Sequence, residues 1–431
     1  MATAGIAART AALRLLGEVL DRGRTLDQAL GREQGPGGRL HDLEARDRAF
    51  ARLLVATVLR RLGQIDDAVA RCLDRPLNRS ARPARNVLRL AAAQAMFLET
   101  PAHAVGDSSV RLLHRQRHLS GLVNAVARRL GREGPTIARD QDAARLNCPD
   151  WLWRSWTDCH GEATTQSMVA EMLREPALDL SLKDGPEDWA ERLAADILPT
   201  GGLRRPAGGA VEELEGYAEG AWWVQDAAAS IPARLFGEVA GRRVLDLCAA
   251  PGGKTAQLAA AGAQVTAVDN APKRLEMLRR NLQRLSLEVE VVEADALQWR
   301  PGAPFELILL DAPCTATGTI RRHPDIWRLR TPEDVGRLAA LQDRLLDAAV
   351  DMLAPGGTLI YATCSLQPEE GPERIAALLS ERPDLHRRPL MPEEVFDQAE
   401  LIDQAGDLRT LPHQLGGIDG FYACRLGRST P

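Results

Sequence analysis

The 431-residue chain carries seven cysteines, an odd number, and no two are spaced as Cys-x-x-Cys. That count and spacing argue against a disulfide framework and against a structural zinc site. No metal is expected. The chain also lacks any apolar run near the roughly 18 to 20 residues that cross a bilayer, and its first residues do not follow the charged, apolar, small-residue order of a secretory leader. The expectation is a cytoplasmic monomer with no membrane partner. Lysine is nearly missing: only Lys183, Lys254 and Lys273 occur, although Lys and Arg together number 54. One of the three stands in the loop around which the chain is organised.

Apolar content of 45% and charged content of 26% are ordinary for a globular protein, and the length allows two or three domains with cores. The net charge of −5 is unevenly spread. Residues 1–140 hold 24 Arg, no Lys and 14 acidic residues, a surplus of ten positive charges, so the remainder carries an excess of fifteen negative ones. A basic front on an acidic chain is a footprint for a polyanion; the bland reading is a solvated helical surface in an arginine-rich protein.

From Ala7 to about Leu130, Leu, Val and Ala recur at three- and four-residue spacings with Arg between them, as in Ala11 to Leu20, Asp47 to Leu62, Val87 to Leu98 and Leu122 to Leu130. This is the pattern of five to seven amphipathic helices, with turn chemistry at 35–38 and 75–83. Three parts are expected: an all-helical domain over 1–140, a small connecting subdomain over 141–220 and an α/β domain over 221–431. In the connector, Trp151, Trp153 and Trp156 read as core, Leu178 to Lys183 as a short strand and Leu198 to Gly209 as a surface loop.

The stretch Val244 to Leu258, VLDLCAAPGGKTAQL, reads as the first strand, loop and helix of a doubly wound α/β domain. Small residues, Ala249, Ala250, Gly252 and Gly253, let backbone approach a nucleotide-like ligand. Pro251 breaks a Gly-x-Gly-x-x-Gly pattern, and the Gly-Lys-Thr lacks the upstream glycine of a P-loop. An adenosyl ligand without phosphates therefore fits better than a pyrophosphate. Further strands are expected at Val265 to Asp269, Glu288 to Asp295, Phe305 to Asp311, Thr358 to Ser365 and Gly420 to Leu426, with a helix from Pro332 to Leu353. Asp246, Asp269, Asp295 and Asp311 would stand at carboxyl ends of strands, the edge where such sheets bind ligands. Asp269, 23 residues after Asp246, is where this fold places a carboxylate for ribose hydroxyls.

Two strand ends also carry thiols: Cys314, in Asp-Ala-Pro-Cys, and Cys364, in Thr-Cys-Ser. If their strands are neighbours, about 4.8 Å apart, both thiols face one pocket. Cys72, Cys148, Cys159, Cys248 and Cys424 read instead as inert core residues.

DLCAAPGGKT, DAPCTATGTIRRHPDIW and YATCSLQPEEG together resemble the RNA cytosine-C5 methyltransferases. With PAHAVGDSSVRLLHRQRHLSGLVNAVARRL (Pro101 to Leu130), which resembles the RNA-binding fold of the antitermination factor NusB, the whole is similar to the bacterial 16S ribosomal RNA family called Sun, Fmu or RsmB. The resemblance implies a class I methyltransferase fold with a mostly parallel seven-stranded sheet behind a NusB-like domain. It implies S-adenosyl-L-methionine as cofactor, held by Cys248, Ala249, Ala250, Pro251, Gly252, Gly253 and Lys254 with Asp269, Asp295 and Asp311. It makes Cys364 the nucleophile, Cys314 the thiol that assists proton removal and product release, and Asp311 and Lys254 partners of the target base. The Asn/Asp-Pro-Pro-aromatic motif of amine-directed methylases is absent.

The chemistry accounts for the thiols. Carbon 5 of cytosine is a poor nucleophile until a thiolate adds at carbon 6, and a base must then remove the carbon-5 proton so that the thiol can leave. A base inside a stem cannot reach a thiol, so the target is splayed from a loop or flipped. Arg321, Arg322, His323 and Trp327 are expected to grip phosphate and stack a base; the alternative is a structural loop with a buried Trp. Other readings are a methyltransferase acting on tRNA, a non-catalytic RNA-binding assembly factor and a small-molecule methyltransferase.

Overall fold

The structure is a computed structural model describing residues 4–78, 81–113 and 117–430. The turn expected at 75–83 and the NusB-like stretch each fall partly outside the described residues. Packing divides the chain into two units, residues 1–173 with 323–330, and 174–322 with 331–431.

The first unit opens with seven α-helices, α1 (Ala4–Leu16), α2 (Leu26–Gln34), α3 (Ala45–Arg60), α4 (Leu62–Arg71), α5 (Arg82–Phe97), α6 (Ala102–Leu112) and α7 (Ser120–Asp140). The expected spacing is what builds its core: Ala8, Ala11, Ala12 and Leu15 of α1 meet Leu54, Val55 and Val58 of α3 and Leu88 and Ala91 of α5 in one buried cluster. Each fully buried Leu or Val contributes about 1.5–3 kcal/mol, so the stripe, not intrinsic helix propensity, holds these helices. Three further helices, α8 (Ala143–Asn147), α9 (Asp150–His160) and α10 (Glu162–Met172), complete the unit before residue 173. On α9, Trp153 and Trp156 are buried core residues, as read from the sequence, and Trp151 is half-buried.

The second unit begins with a four-stranded antiparallel sheet in the order β2-β3-β1-β4, built from β1 (Leu178–Leu182), β2 (Asp196–Ile197), β3 (Leu203–Arg205) and β4 (Trp222–Val224), with the short α11 (Glu187–Arg192) between β1 and β2. The surface loop expected over Leu198 to Gly209 is corrected here: β3 lies inside it, with Leu203 opposite Leu180 and fully buried. Arg204 and buried Asp179 form a two-pronged ion pair, both contacts 2.7 Å, that fastens β3 to β1.

After α12 (Ala227–Arg234) the main sheet follows: β5 (Arg243–Leu247), α13 (Gly253–Ala260), β6 (Gln264–Asp269), α14 (Pro272–Arg284), β7 (Glu290–Glu293) and β8 (Phe305–Asp311). α15 (Ile326–Leu329) belongs to the first unit; α16 (Pro332–Met352), β9 (Leu353–Thr363), α17 (Pro372–Glu381), β10 (Leu385–Arg387), β11 (Leu408–Thr410) and β12 (Phe421–Arg428) return to the second. The order is β10-β12-β9-β8-β5-β6-β7, with β11 beside β12. The five central and outer strands β7, β6, β5, β8 and β9 are mutually parallel, whereas β10, β11 and β12 pair antiparallel. This is a doubly wound, mostly parallel sheet of seven strands in line, plus the eighth, β11. Strand order reverses between β5 and β8, and the crevice at the carboxyl ends of those two strands is where open α/β sheets bind ligands.

Candidate active site

Asp246 is buried on β5, one residue short of the strand end, and its Oδ2 accepts the Thr255 hydroxyl at 2.6 Å. It therefore props α13 from below and does not stand at the ligand edge as expected. Burial pushes its carboxyl up to about 7. Above it the loop turns sharply: Cys248 has φ 60° and Gly252 φ 104°. A Cβ at Gly252 would lie 2.3 Å from Leu278 Cδ1, so only glycine fits both the angle and the space.

Asp269 ends β6, and its two oxygens accept the amides of Ala250 at 3.1 Å and Ala271 at 2.9 Å. Each oxygen keeps a second lone pair. Asp295 lies two residues beyond β7, which is shorter than expected, and caps the next turn through Leu297 N at 3.0 Å. Carboxylates only accept hydrogen bonds. An edge lined by Asp269, Asp295 and Asp311 suits ribose hydroxyls, an amino group and a sulfonium, and repels a pyrophosphate. The residues present thus fit S-adenosylmethionine.

Across the reversal point, Lys254 Nζ is 2.7 Å from Asp311 Oδ2, with Lys254 buried and Asp311 about one-third exposed. The same ammonium stands 4.8 Å over the Phe421 ring, a partner the sequence did not reveal. Parallel pairing puts Asp311 opposite Ala362, so the loops after β8 and β9 leave the sheet level with each other. They are then laced together. Gly318 N donates to Cys364 O at 3.0 Å, and Leu366 N to Thr317 Oγ1 at 3.0 Å. In consequence Cys314 Sγ and Cys364 Sγ lie 3.4 Å apart. The hydrogen bond to Cys364, then burial, push the Cys314 thiol well above the ordinary cysteine range.

The loop expected to touch RNA is different. Arg321 is buried, 2.8 Å from Asp226 Oδ2, and Arg322 Nε is 2.7 Å from Asp419 Oδ2. Both guanidiniums are engaged by carboxylates that are themselves buried. Trp327 is buried with its ring centroid 6.0 Å from that of Trp156. The phosphate-gripping, base-stacking role expected of Arg321 and Trp327 is thus corrected to a structural one, whereas Arg322, paired to Asp419, stays about one-third exposed. His323 remains partly exposed, 3.6 Å from Asp27 Oδ2. Of the cysteines read as core, Cys72, Cys148 and Cys424 are buried; Cys248 is half-buried, and Cys159 is exposed, because it falls on the outer face of α9. Among the described residues no group of three His, Cys, Asp or Glu could hold a metal, and no helix is long and apolar enough to cross a membrane.

Sequence reasoning missed Phe421, Asp226, Asp419 and Glu370. Phe421 and Asp419 sit in GIDGFYACRL and Glu370 in SLQPEEG, so the signal was a cluster of acids and an aromatic beside the thiol motifs, with nothing local to say that they point inward.

A sheet of this order with a glycine turn, an acidic edge and no phosphate cradle defines a class I S-adenosylmethionine-dependent methyltransferase. Comparison with known proteins narrows it. The profile of the family described as 16S rRNA methyltransferase RsmB/F matches residues 235–427, and that of the NusB family residues 6–132. Ribosomal RNA small subunit methyltransferase B of Shewanella oneidensis is 34% identical over 98% of this chain and 99% of its own. The protein of the same description from Xanthomonas campestris pv. campestris is 37% identical over 90% and 91%. The chain belongs to the RsmB/F family of 16S rRNA methyltransferases. Among solved structures, that of PH0851 has the same fold, with a TM-score of 0.72 at 23% identity over 98% of both chains.

Proposed function

We propose that this chain transfers a methyl group from S-adenosylmethionine to carbon 5 of a cytosine in 16S ribosomal RNA, through a covalent adduct of Cys364 with carbon 6. The observation that carries the reading is the 3.4 Å approach of two thiols on neighbouring loops, beside the Lys254–Asp311 pair at the reversal point of the sheet. Relatives described as ribosomal RNA small subunit methyltransferase B match nearly end to end and support the substrate. The helical domain of 1–140 is the RNA-binding part, 141–220 the connector and 221–431 the methyl-transfer part of a monomer.

The residues divide the work. Cys364, as thiolate, forms the bond to carbon 6 while electron density moves to carbon 5. Bound S-adenosylmethionine supplies an electrophilic methyl on a sulfonium. Asp311, held by Lys254, would accept from the target base or from the methyl-donor end. A base, assisted by Cys314, takes the carbon-5 proton; the electrons of that bond form the carbon 5 to carbon 6 double bond as the carbon 6 to sulfur bond breaks and its electrons return to Cys364.

Incubating labelled RNA and cofactor with variants tests this on denaturing gels. Cys364→Ala is expected to abolish transfer and give no adduct. Cys314→Ala is expected to accumulate a protein–RNA adduct that is released slowly. An adduct formed by Cys364→Ala removes the assignment. Mapping 5-methylcytosine in 16S rRNA from cells with and without the protein tests the substrate.

A further inference from the structure

Glu370 is a buried charge that the chemistry above leaves unused. It has no exposed surface and lies in the turn between β9 and α17. Its carboxylate gathers three pieces of chain. Oε1 accepts Thr315 N at 2.8 Å and Gln342 Nε2 at 3.2 Å; Oε2 accepts the hydroxyls of Ser365, at 2.5 Å, and of Thr315. Thr315 follows Cys314, Ser365 follows Cys364, and Gln342 of α16 also donates to Pro313 O at 2.9 Å. The Glu370 carbonyl accepts the Tyr361 hydroxyl at 2.8 Å.

These four donors are neutral. Burying a carboxylate against neutral donors is costly, and a brace alone would be served by an uncharged amide. The charge therefore calls for a task of its own.

We infer that Glu370 is the positioning residue of the thiol pair: it fixes the two cysteine loops against each other and, as a fixed negative charge beside Cys314, keeps the proton there so that Cys364 is the sulfur that ionises. This rests on the proposed reading of Cys364 as nucleophile. The neighbourhood agrees. Glu370 disfavours a second negative charge on Cys314. Other ionisable groups around the pair are Tyr361 on β9, which feels Cys314, Glu370, Asp343 and Arg374, Arg409 on β11, which donates to Ser365 O at 3.1 Å, and the Lys254–Asp311 pair at the head of the Cys314 loop.

The test is residue-resolved alkylation of the full-length protein by iodoacetamide from about pH 6 to about pH 10, read by peptide mass spectrometry, since only the thiolate reacts. In the unsubstituted protein Cys364 is expected to react at lower pH than Cys314. Glu370→Gln is expected to move the Cys314 profile down by about one pH unit, and Glu370→Asp to restore the order. The same Glu370→Gln protein should lose at least about tenfold in kcat for RNA methylation with KM changed by less than about twofold. Calorimetric binding of S-adenosylmethionine reports that it is folded. Should Glu370→Gln fail that check, Thr315→Val and Ser365→Ala each remove one hydroxyl donor and should shift Cys314 in the same direction by less. An unchanged Cys314 profile in folded Glu370→Gln, or in both hydroxyl variants, overturns the role of Glu370. If instead Cys364→Ala still methylates RNA, the nucleophile reading falls and this inference with it.

Discussion

Asp246 gives the stability of the second unit a pH dependence of its own. Its carboxyl is buried, makes one hydrogen bond, to Thr255, and is pushed up to about 7 from an ordinary value of 3.8. The folded chain thus holds a proton in an interval where the unfolded chain has released it. Because the slope of unfolding free energy with pH follows protons bound unfolded minus protons bound folded, the slope is negative there. The stabilising share is present below about pH 4 and is lost as pH rises through about 7. One full proton corresponds to about 1.4 kcal/mol per pH unit, so the interval carries roughly 4 kcal/mol at most. Asp246→Asn keeps the shape and removes the titration. The comparison is urea unfolding of the two proteins without cofactor, followed by hydrogen exchange of peptides from β5, at about pH 5, 6, 7 and 8. The unsubstituted protein should lose stability relative to Asp246→Asn by about 1 kcal/mol for each unit toward pH 7. A difference that stays flat, or that grows in the opposite direction, refutes the assignment of a raised carboxyl to Asp246.

Two other expectations follow from burial and backbone. Arg321→Ala leaves Asp226, buried at the start of α12, without its cation and should destabilise the second unit by about 3–5 kcal/mol in urea unfolding, while Arg321→Lys recovers part of the loss. If Arg321 gripped RNA instead, Arg321→Ala would fold normally and change the salt dependence of RNA binding. Gly252→Ala meets both a φ of 104° and Leu278, and should weaken S-adenosylmethionine binding at least about tenfold by calorimetry, equivalent to about 1.4 kcal/mol.

The fold was legible where one face or both faces of an element are buried without exception. Phe305 to Asp311 was read with its observed bounds because β8 lies between β5 and β9 and has four consecutive buried residues, Leu307 to Leu310. The seven front helices were legible for the same reason, through stripes of Ala and Leu that share one core. Edge strands were not. β7 carries Glu290 and Glu293 on the outermost parallel position, has no buried residue and gives the sequence no sharp end. β3 is three residues long and is specified by its partner β1, which a local reading cannot see.

The site divides along the same line. The thiols could be brought together from sequence because only two facts were needed: that their strands are adjacent, and that each cysteine follows its strand closely. The register of β8 on β9 supplies the rest. The arginines required a third fact, the inward direction of a charged side chain, and nothing local contains it. An Arg-Arg-His run reads as a solvated grip for phosphate until acids 95 and 97 residues away, Asp226 and Asp419, are known to lie beneath it. The cost of burying Arg321, Asp226 and Asp419 is offset only when the two arginines are both present, since either carboxylate left alone would be an unpaired ion in the interior. The loop that carries Cys314 is therefore anchored by Glu370 at Thr315, next to the cysteine, and by the ion pairs at Arg321 and Arg322 farther along. That is why a flexible-looking Gly and Thr segment, Thr315 to Thr319, can keep a thiol at a set distance from its partner.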